Sequence, residues 1–423
     1  MRSVYVISNG CHESFLDAAQ LERFFQAKPD FTVVKDIANA DLIVLLGCSV
    51  MQPKEDMTRE LIKVISEQKR ADAELLVAGC IAKVRPDLVY RDNKFNTLIQ
   101  EIDDLLRSKG GSQEFKANFP YRPYRDSKKD LLTIVRTRER KRRLNQYASS
   151  LGGPLRTVTQ KFSGPITYML SKYGDFVESR IDVWDNKTYT IKISTGCRGN
   201  CSYCSIKQSR GEICSKPIKA VIKEFKAGLQ QGYSDFALIG TDIGDYGKDM
   251  GTDLLDLLKA IVRLVGQFQV RLRNVNPRWL IPSAPQFCDL LTSGKISYIE
   301  SPIQSCSNRI LKLMNRGYRA EDYLDAMRKI RSTCPRVFLK SQIIVGFPSE
   351  SDEDFRKFLK LYESKLFNYV DVFPYSNRPN TRASTMLNQV PYEIIMKRRQ
   401  KLLFKSLFQL APKQLFCQFI GRS

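Results

Sequence analysis

The sequence predicts an α/β protein with two parallel sheets: an N-terminal open parallel α/β domain, and a partial (βα)6 barrel in the second half. Two observations carry this expectation. Short apolar runs of strand length alternate with stretches of helical length over the first hundred residues, and the alternation resumes after Tyr189. Cysteines and glycines stand just past several of those runs, at the carboxyl ends of the strands, where open parallel sheets and barrels bind ligands.

In order along the chain, Val4–Ile7 reads as a strand and is followed by a helix from about Glu13 to Gln26. Leu42–Leu46 is the next strand, with a helix from about Pro53 to Lys69, and Leu75–Ala78 precedes a looser segment. Cys11, Cys48 and Cys80 each lie one to a few residues past one of these strands, two of them directly after Gly47 and Gly79. All three are therefore expected on one edge of the domain. Free cysteine is often simply buried. That explains one such residue, whereas three at equivalent strand ends point to a metal-cluster site.

From about Ser108 to Asp182 the alternation is lost. Between Arg122 and Arg143 ten basic residues face three acidic ones, a net charge of +7. The core of this run, with Arg136, Arg138, Arg140, Lys141, Arg142 and Arg143, reads as an exposed helix suited to phosphates. Tyr121, Tyr124 and Tyr147 are available for stacking. A solvated helix face or interdomain connector explains the run equally well.

The second alternation opens with the strand Tyr189–Ser194. Candidate strands follow at Asp235–Gly240, Phe268–Arg273, Ser297–Glu300, Val337–Val345 and Tyr369–Phe373. Helices are expected at Lys216–Gln231, Asp253–Gly266 and Ala320–Ser332. Six βα units make a partial barrel with its active site at the carboxyl mouth. The loop after the first strand carries Cys197, Cys201 and Cys204, a C-x3-C-x2-C spacing. Three thiolates so close hold three irons of a four-iron cluster and leave the fourth open to a ligand. A zinc site needs a fourth ligand, and the only histidine is His12. Gly240 and Gly346, also past strands on that mouth, would permit close backbone approach to a ligand or simply make tight turns.

Composition narrows the function. With 423 residues, 43% hydrophobic and 27% charged, the chain is an ordinary globular protein of two or three domains. No apolar run reaches the ~18 residues of a membrane span, and Met1–Ser8 turns polar too soon for a signal peptide. A cytoplasmic protein without a membrane partner is expected. There, eleven cysteines read as metal or redox ligands before disulfides, with Cys214, Cys288, Cys334 and Cys417 taken as structural. A formal charge of +23 suits a polyanionic partner, nucleic acid above all. One histidine all but excludes His-based triads, so the chemistry must lie with cysteines and a cofactor.

At this point the chain resembles the radical S-adenosylmethionine (SAM) methylthiotransferases, which act on tRNA adenosines or on a ribosomal-protein aspartate. The resemblance covers the first hundred residues and about Tyr189 to Leu410. It rests on the three-Cys loop with Tyr203, Gln208–Gly211, Gly240–Gly247, Pro302–Ser305 running into Leu311–Tyr318, Ile343–Pro348 with Glu350, and Phe373–Ser376 with Arg378-Pro379. It implies two [4Fe-4S] clusters. One, on Cys197, Cys201 and Cys204, binds and reduces SAM, giving a 5′-deoxyadenosyl radical that abstracts hydrogen from an unactivated C–H bond. An auxiliary cluster on Cys11, Cys48 and Cys80 supplies sulfur, methylated by a second SAM. Tyr203, Thr241, Asp242, Gln304, Val345 and Gly346 would line the SAM pocket. An electron donor such as flavodoxin or ferredoxin and a sulfur source are implied partners.

The chain departs from the family at several points. His12-Glu13-Ser14 replaces Gln-Met-Asn, Leu46-Gly47 replaces Asn-Thr, and Cys306 replaces a glycine. The chain stops at Ser423, where the C-terminal TRAM module is expected to begin. The expected division is therefore 1–107 as the N-terminal methylthiotransferase domain and 108–182 as a basic insert or linker. The radical SAM partial barrel follows at 183–410, then a tail at 411–423. The charge favours a tRNA adenosine as substrate. The runner-up is a peptide or protein side chain, and the rival of another class is a non-catalytic iron–sulfur RNA-binding protein.

Overall fold

The computed structural model describes residues 1–88, 131, 135 and 188–406. Most of the predicted insert, including Arg136–Arg143 and the three tyrosines, lies outside the described residues, as does the tail with Cys417. Among the described residues no helix is long and apolar enough to cross a membrane.

The N-terminal domain is built from β1 (Arg2–Ser8), α1 (His12–Gln26), β2 (Phe31–Val33), β3 (Leu42–Leu46), α2 (Gln52–Gln68), β4 (Glu74–Ala78) and α3 (Cys80–Val84). Its strands are all parallel, in the order β2-β1-β3-β4. All five residues of β3 are apolar and buried, as expected of a central strand covered on both faces. The register aligns Ser8 with Leu46 and Leu46 with Ala78, so the three strands end level. Cys11, Cys48 and Cys80 follow those ends by three, two and two residues. That register brings them to one edge. Strand β2, only three residues long and partly exposed at the sheet edge, carries no sequence pattern that would have announced it. Leu131 and Val135 are helical and buried in this domain's core, so two residues of the middle segment pack on the N-terminal domain.

The second sheet holds β5 (Thr188–Lys192), β8 (Asp235–Ile239), β9 (Gln269–Leu272), β10 (Ile296–Glu300), β11 (Phe338–Val345) and β12 (Tyr369–Pro374). They lie in chain order and all run parallel, with β5 and β12 as edges, so the barrel is open. A short antiparallel pair, β6 (Ser194–Thr195) and β7 (Cys214–Ser215), brackets the three-Cys loop and α4 (Ile206–Arg210). Among the described residues the other α-helices of this half are α5 (Ile218–Gln230), α6 (Leu254–Val262), α7 (Pro277–Leu291), α8 (Asn308–Leu313), α9 (Ala320–Thr333), α10 (Asp352–Glu363) and α11 (Tyr392–Lys405).

Helix α7 forms although Pro282 and Pro285 lie inside it, and internal proline normally breaks a helix. Pro277 at its first turn and the Asn276 cap start it, Leu280, Ala284, Phe287, Leu290 and Leu291 are buried, and the helix packs on α6 and α9. That burial outweighs the lost backbone bonds.

Candidate active site: two cysteine triads on one cavity

The barrel triad sits on a braced loop. Gly196, at φ +76°, turns the chain into Cys197, and a Cβ there would lie 1.9 Å from the Glu212 carbonyl oxygen. The Cys197 N–H bonds the Gly211 carbonyl at 3.2 Å. Ser202 anchors the far side through its N–H to Met314 O (3.0 Å) and its hydroxyl to Leu313 O (2.8 Å). Donors already point at the sulfurs. The Gly199 N–H reaches Cys197 Sγ at 3.1 Å, the Arg316 guanidinium reaches Cys201 Sγ at 3.3 Å, and backbone groups of Ile206 and Lys207 face Cys204. Burial, then the neighbouring Asp242 carboxylate, pushes the Cys197 thiol up to about 12; burial, then Cys201, pushes Cys204 to about 11. Such thiols are costly to ionise alone, whereas a cation would hold them as thiolates.

Two carboxylates back this loop. Asp245, fully buried, accepts the Arg198 N–H at 2.8 Å and two bonds from Arg278 at 2.9 and 3.0 Å; the Cys197 thiol lies 3.6 Å from its Oδ2. Asp242 bonds the Asn276 side chain at 3.0 Å, and burial followed by Asp245 raises its pKa to about 6.

The second triad is assembled at helix starts. Cys11 caps α1, Cys80 opens α3, and Cys48 lies shortly before α2. Gly79, at φ +85°, packs on the Gly47 backbone. The Cys48 N–H donates to Asn9 Oδ1 (3.0 Å) and Thr58 Oγ1 (3.1 Å), while the Thr58 hydroxyl donates to the Cys48 carbonyl at 2.8 Å. The Cys48 thiol is pushed up to about 12, by burial first and then by Cys80 and Cys11, so all three sulfurs lie in one another's field. Asn9 and Thr58 were invisible to sequence reasoning, because nothing local marks their contact with Cys48.

One cysteine of each triad, Cys11 and Cys204, lines a cavity of about 320 Å³. Tyr203 and Gln304 line it, as do His12 and Glu13, two of the three residues that depart from the expected Gln-Met-Asn. Gln304 has φ +68°, and its buried Oε1 has no hydrogen-bond partner, an acceptor aimed where a ligand donor would sit. Thr241 lies one layer back, donating to Glu13 at 3.1 Å. Asp242 turns toward Cys197 and Asn276. Val345 is buried behind the wall, and the Cα of Gly346 packs on Ile395, where a Cβ would come within 2.3 Å. The close approach at Gly346 is therefore to helix α11.

Ion pairs seat the domains on each other. Asp17 of α1 binds Lys192 and Arg210 of the barrel, each at 2.5 Å. Glu55 of α2 accepts Arg378 at 2.6 Å, and Arg273 reaches His12 Nδ1 at 3.0 Å. Two cysteine triads, one with N–H donors aimed at its sulfurs, and an orphaned acceptor in a cavity that both border, suit metal clusters and a polar ligand.

Comparison with known proteins agrees with this chemistry. Residues 191–362 match the model of the radical SAM superfamily, and residues 3–100 match that of the uncharacterized protein family UPF0004. The chain is 30% identical over 403 residues to a threonylcarbamoyladenosine tRNA methylthiotransferase MtaB of Thermotoga maritima, covering 92% of this chain and 79% of the relative. It is 24% identical to a ribosomal protein uS12 methylthiotransferase RimO of Nitratiruptor, covering 100% and 87%. It is 26% identical to a tRNA-2-methylthio-N(6)-dimethylallyladenosine synthase of Ehrlichia canis, covering 95% and 82%. Among solved structures, the radical SAM methyltransferase TsrM of Kitasatospora setae superposes with a TM-score of 0.54 at 14% identity, covering 90% of this chain and 77% of that one, a likeness of fold.

Proposed function

The chain belongs to the radical SAM methylthiotransferases, and within that family we propose that it inserts a methylthio group into an unactivated C–H bond of a tRNA adenosine. In this reading Cys197, Cys201 and Cys204 hold a [4Fe-4S] cluster that binds SAM, and Cys11, Cys48 and Cys80 hold an auxiliary one. When bound, the first supplies reductive SAM cleavage and hydrogen abstraction, and the second supplies sulfur.

The single observation that carries the proposal is the shared cavity: Cys11 and Cys204 border the same space, so one substrate can meet both centres. Tyr203 and Gln304 contact the ligand from the barrel side, Thr241 orients Glu13, and Asp242, Val345 and Gly346 support the wall. Electrons come from a flavodoxin- or ferredoxin-like donor, and sulfur from an external source. The preference for tRNA rests on the charge of +23, and on the tRNA named in the Thermotoga relative's description. We assign Arg136, Arg138, Arg140, Lys141, Arg142 and Arg143 of the basic insert 108–182 to RNA contact, 1–107 to the auxiliary centre and 183–410 to the barrel. The relatives named for ribosomal protein uS12 favour the second reading, a protein side chain.

The test is anaerobic. Reconstituted protein with dithionite and SAM should form 5′-deoxyadenosine. A Cys11→Ala/Cys48→Ala/Cys80→Ala variant should still do so yet transfer no methylthio group. Mass spectrometry of tRNA nucleosides from a deletion strain should show loss of a methylthioadenosine. Unchanged nucleosides together with an unmodified ribosomal protein would replace the tRNA reading by the protein one. Absence of 5′-deoxyadenosine would refute the chemistry.

A further inference from the structure

Each triad has its own arginine, Arg316 buried and Arg210 with a side chain 13% exposed. Arg316, 6% exposed, is fixed by neutral partners: its Nε bonds the Tyr318 hydroxyl at 2.9 Å, and one terminal nitrogen bonds Asn276 Oδ1 and the Pro302 carbonyl at 3.2 Å. The other terminal nitrogen is thereby aimed at Cys201 Sγ, 3.3 Å away. Arg210 closes α4, the helix that leaves the barrel triad and packs against α3, which begins at Cys80. It bonds Ser14 Oγ at 3.0 Å, which in turn lies 3.9 Å from Cys11 Sγ. Its charge is felt at Cys80 and Cys11, and that of Arg316 at Cys204. The carboxylates facing Arg210 are Asp17, shared with Lys192, and Glu13.

Resting on the two-centre reading above, we propose that Arg316 and Arg210 are positioning residues that set the reduction potentials of the two centres separately, Arg316 that of the barrel centre and Arg210 that of the auxiliary one. Reduction adds one electron and one negative charge to a cluster. A fixed cation or N–H donor at its sulfurs stabilises the reduced form and raises the potential. Arg316 touches sulfur and has no carboxylate among its hydrogen-bond partners, Asp242 meeting its charge only beyond Asn276, so its effect is the larger. Arg210 acts through Ser14 and is partly offset by Asp17 and Glu13, so its effect is smaller. The pair lets the two centres differ in potential although each is ligated by three cysteines.

The experiment uses the full chain with one centre at a time. Cys11/Cys48/Cys80→Ala leaves the barrel centre and Cys197/Cys201/Cys204→Ala the auxiliary one. Each is titrated with dithionite under potentiometric control and read by electron paramagnetic resonance. In the first background Arg316→Gln should lower the reduction equilibrium constant about tenfold, about 59 mV for a one-electron couple, and Arg210→Gln should leave it unchanged. In the second background Arg210→Gln should lower it by a smaller factor and Arg316→Gln should have no effect. Lys variants keep the charge and stand in where a Gln variant loses iron: Arg210→Lys should titrate like the parent, and Arg316→Lys between parent and Gln. Equal shifts in both backgrounds, no shift in either, or Lys variants displaced as far as Gln would overturn the assignment. A wild-type chain that binds only four irons would instead overturn the two-centre reading, an outcome visible before any potential is measured.

Discussion

Replacing Glu55 with Ala removes a carboxylate that ties the Cys48 loop to the barrel. Glu55 is fully buried. Its Oε2 accepts the Ser49 hydroxyl at 2.8 Å and Arg378 at 2.6 Å, and its Oε1 accepts Arg59 at 3.0 Å and Arg85 at 2.9 Å. Without it, Arg59, whose side chain is 45% exposed, is free to hydrate, and Arg85 keeps Asp87. Arg378, 3% exposed, is left with the Gln52 side-chain oxygen and the Ser49 and Asn377 carbonyls, all neutral. Stripping the partner from a buried charge costs about 3–5 kcal/mol. Arg378→Ala should cost less, about 1.5–3 kcal/mol, because Glu55 retains Arg59, Arg85 and Ser49. Native-state hydrogen exchange of the α2 and β3 amides reads this as a loss of protection of roughly a hundredfold or more for Glu55→Ala, at 1.4 kcal/mol per tenfold. The double variant should cost less than the sum of the singles, since Arg378→Ala removes the charge that Glu55→Ala strands. A loss under tenfold for Glu55→Ala, or strict additivity, would refute the idea that this ion pair seats the auxiliary site.

Metal analysis of anaerobically reconstituted protein should give about eight irons per chain, and each Cys→Ala triple variant should lose about half. Full iron retention without Cys11, Cys48 and Cys80 would remove the auxiliary centre. Gly196→Ala should abolish iron at the barrel triad, because neither φ +76° nor the 1.9 Å approach to the Glu212 carbonyl tolerates a Cβ; normal loading would contradict this. Burial holds the Glu350 carboxyl up at about 7, with Arg398 and the Gly346 N–H on Oε1 while Oε2 is buried without a partner. The native state therefore keeps a proton that the unfolded chain releases near 4.5. Stability should fall as pH rises from about 4.5 to 7, by at most about 1.4 kcal/mol per unit, and Glu350→Gln should flatten that slope in denaturant titrations. If residues 136–143 bind phosphates, log affinity for tRNA should fall linearly with log salt by about 0.7–0.9 per contact. Changing Arg136, Arg138, Arg140, Lys141, Arg142 and Arg143 to Gln should weaken binding and flatten the line; identical binding at every salt concentration would exclude the segment.

Local pattern determined much of this protein. Leu42–Leu46 announces a doubly covered strand, and six strand-length runs separated by helices or loops announce an open parallel barrel, because burial imposes its period on neighbouring residues. The C-x3-C-x2-C spacing reads directly as a ligand loop, since its three sulfurs lie within eight residues. Cys11, Cys48 and Cys80 were legible through an intermediate: parallel strands that end level carry whatever follows them to one edge. What the local signal lacked, it misread or missed. β2 is too short and exposed to show a pattern, and α7 contradicts its own prolines because a buried apolar face repays them.

The tertiary structure alone decided which distant groups meet. Asn9 and Thr58 hold Cys48 from 39 and 10 residues away, Arg316 reaches Cys201 across 115, and Arg378 reaches Glu55 across 323. Each is a polar residue whose type alone predicts only an exposed side chain. Burial made each need a partner, and packing within each domain, or of one domain on the other for Arg378, determined which partner that was.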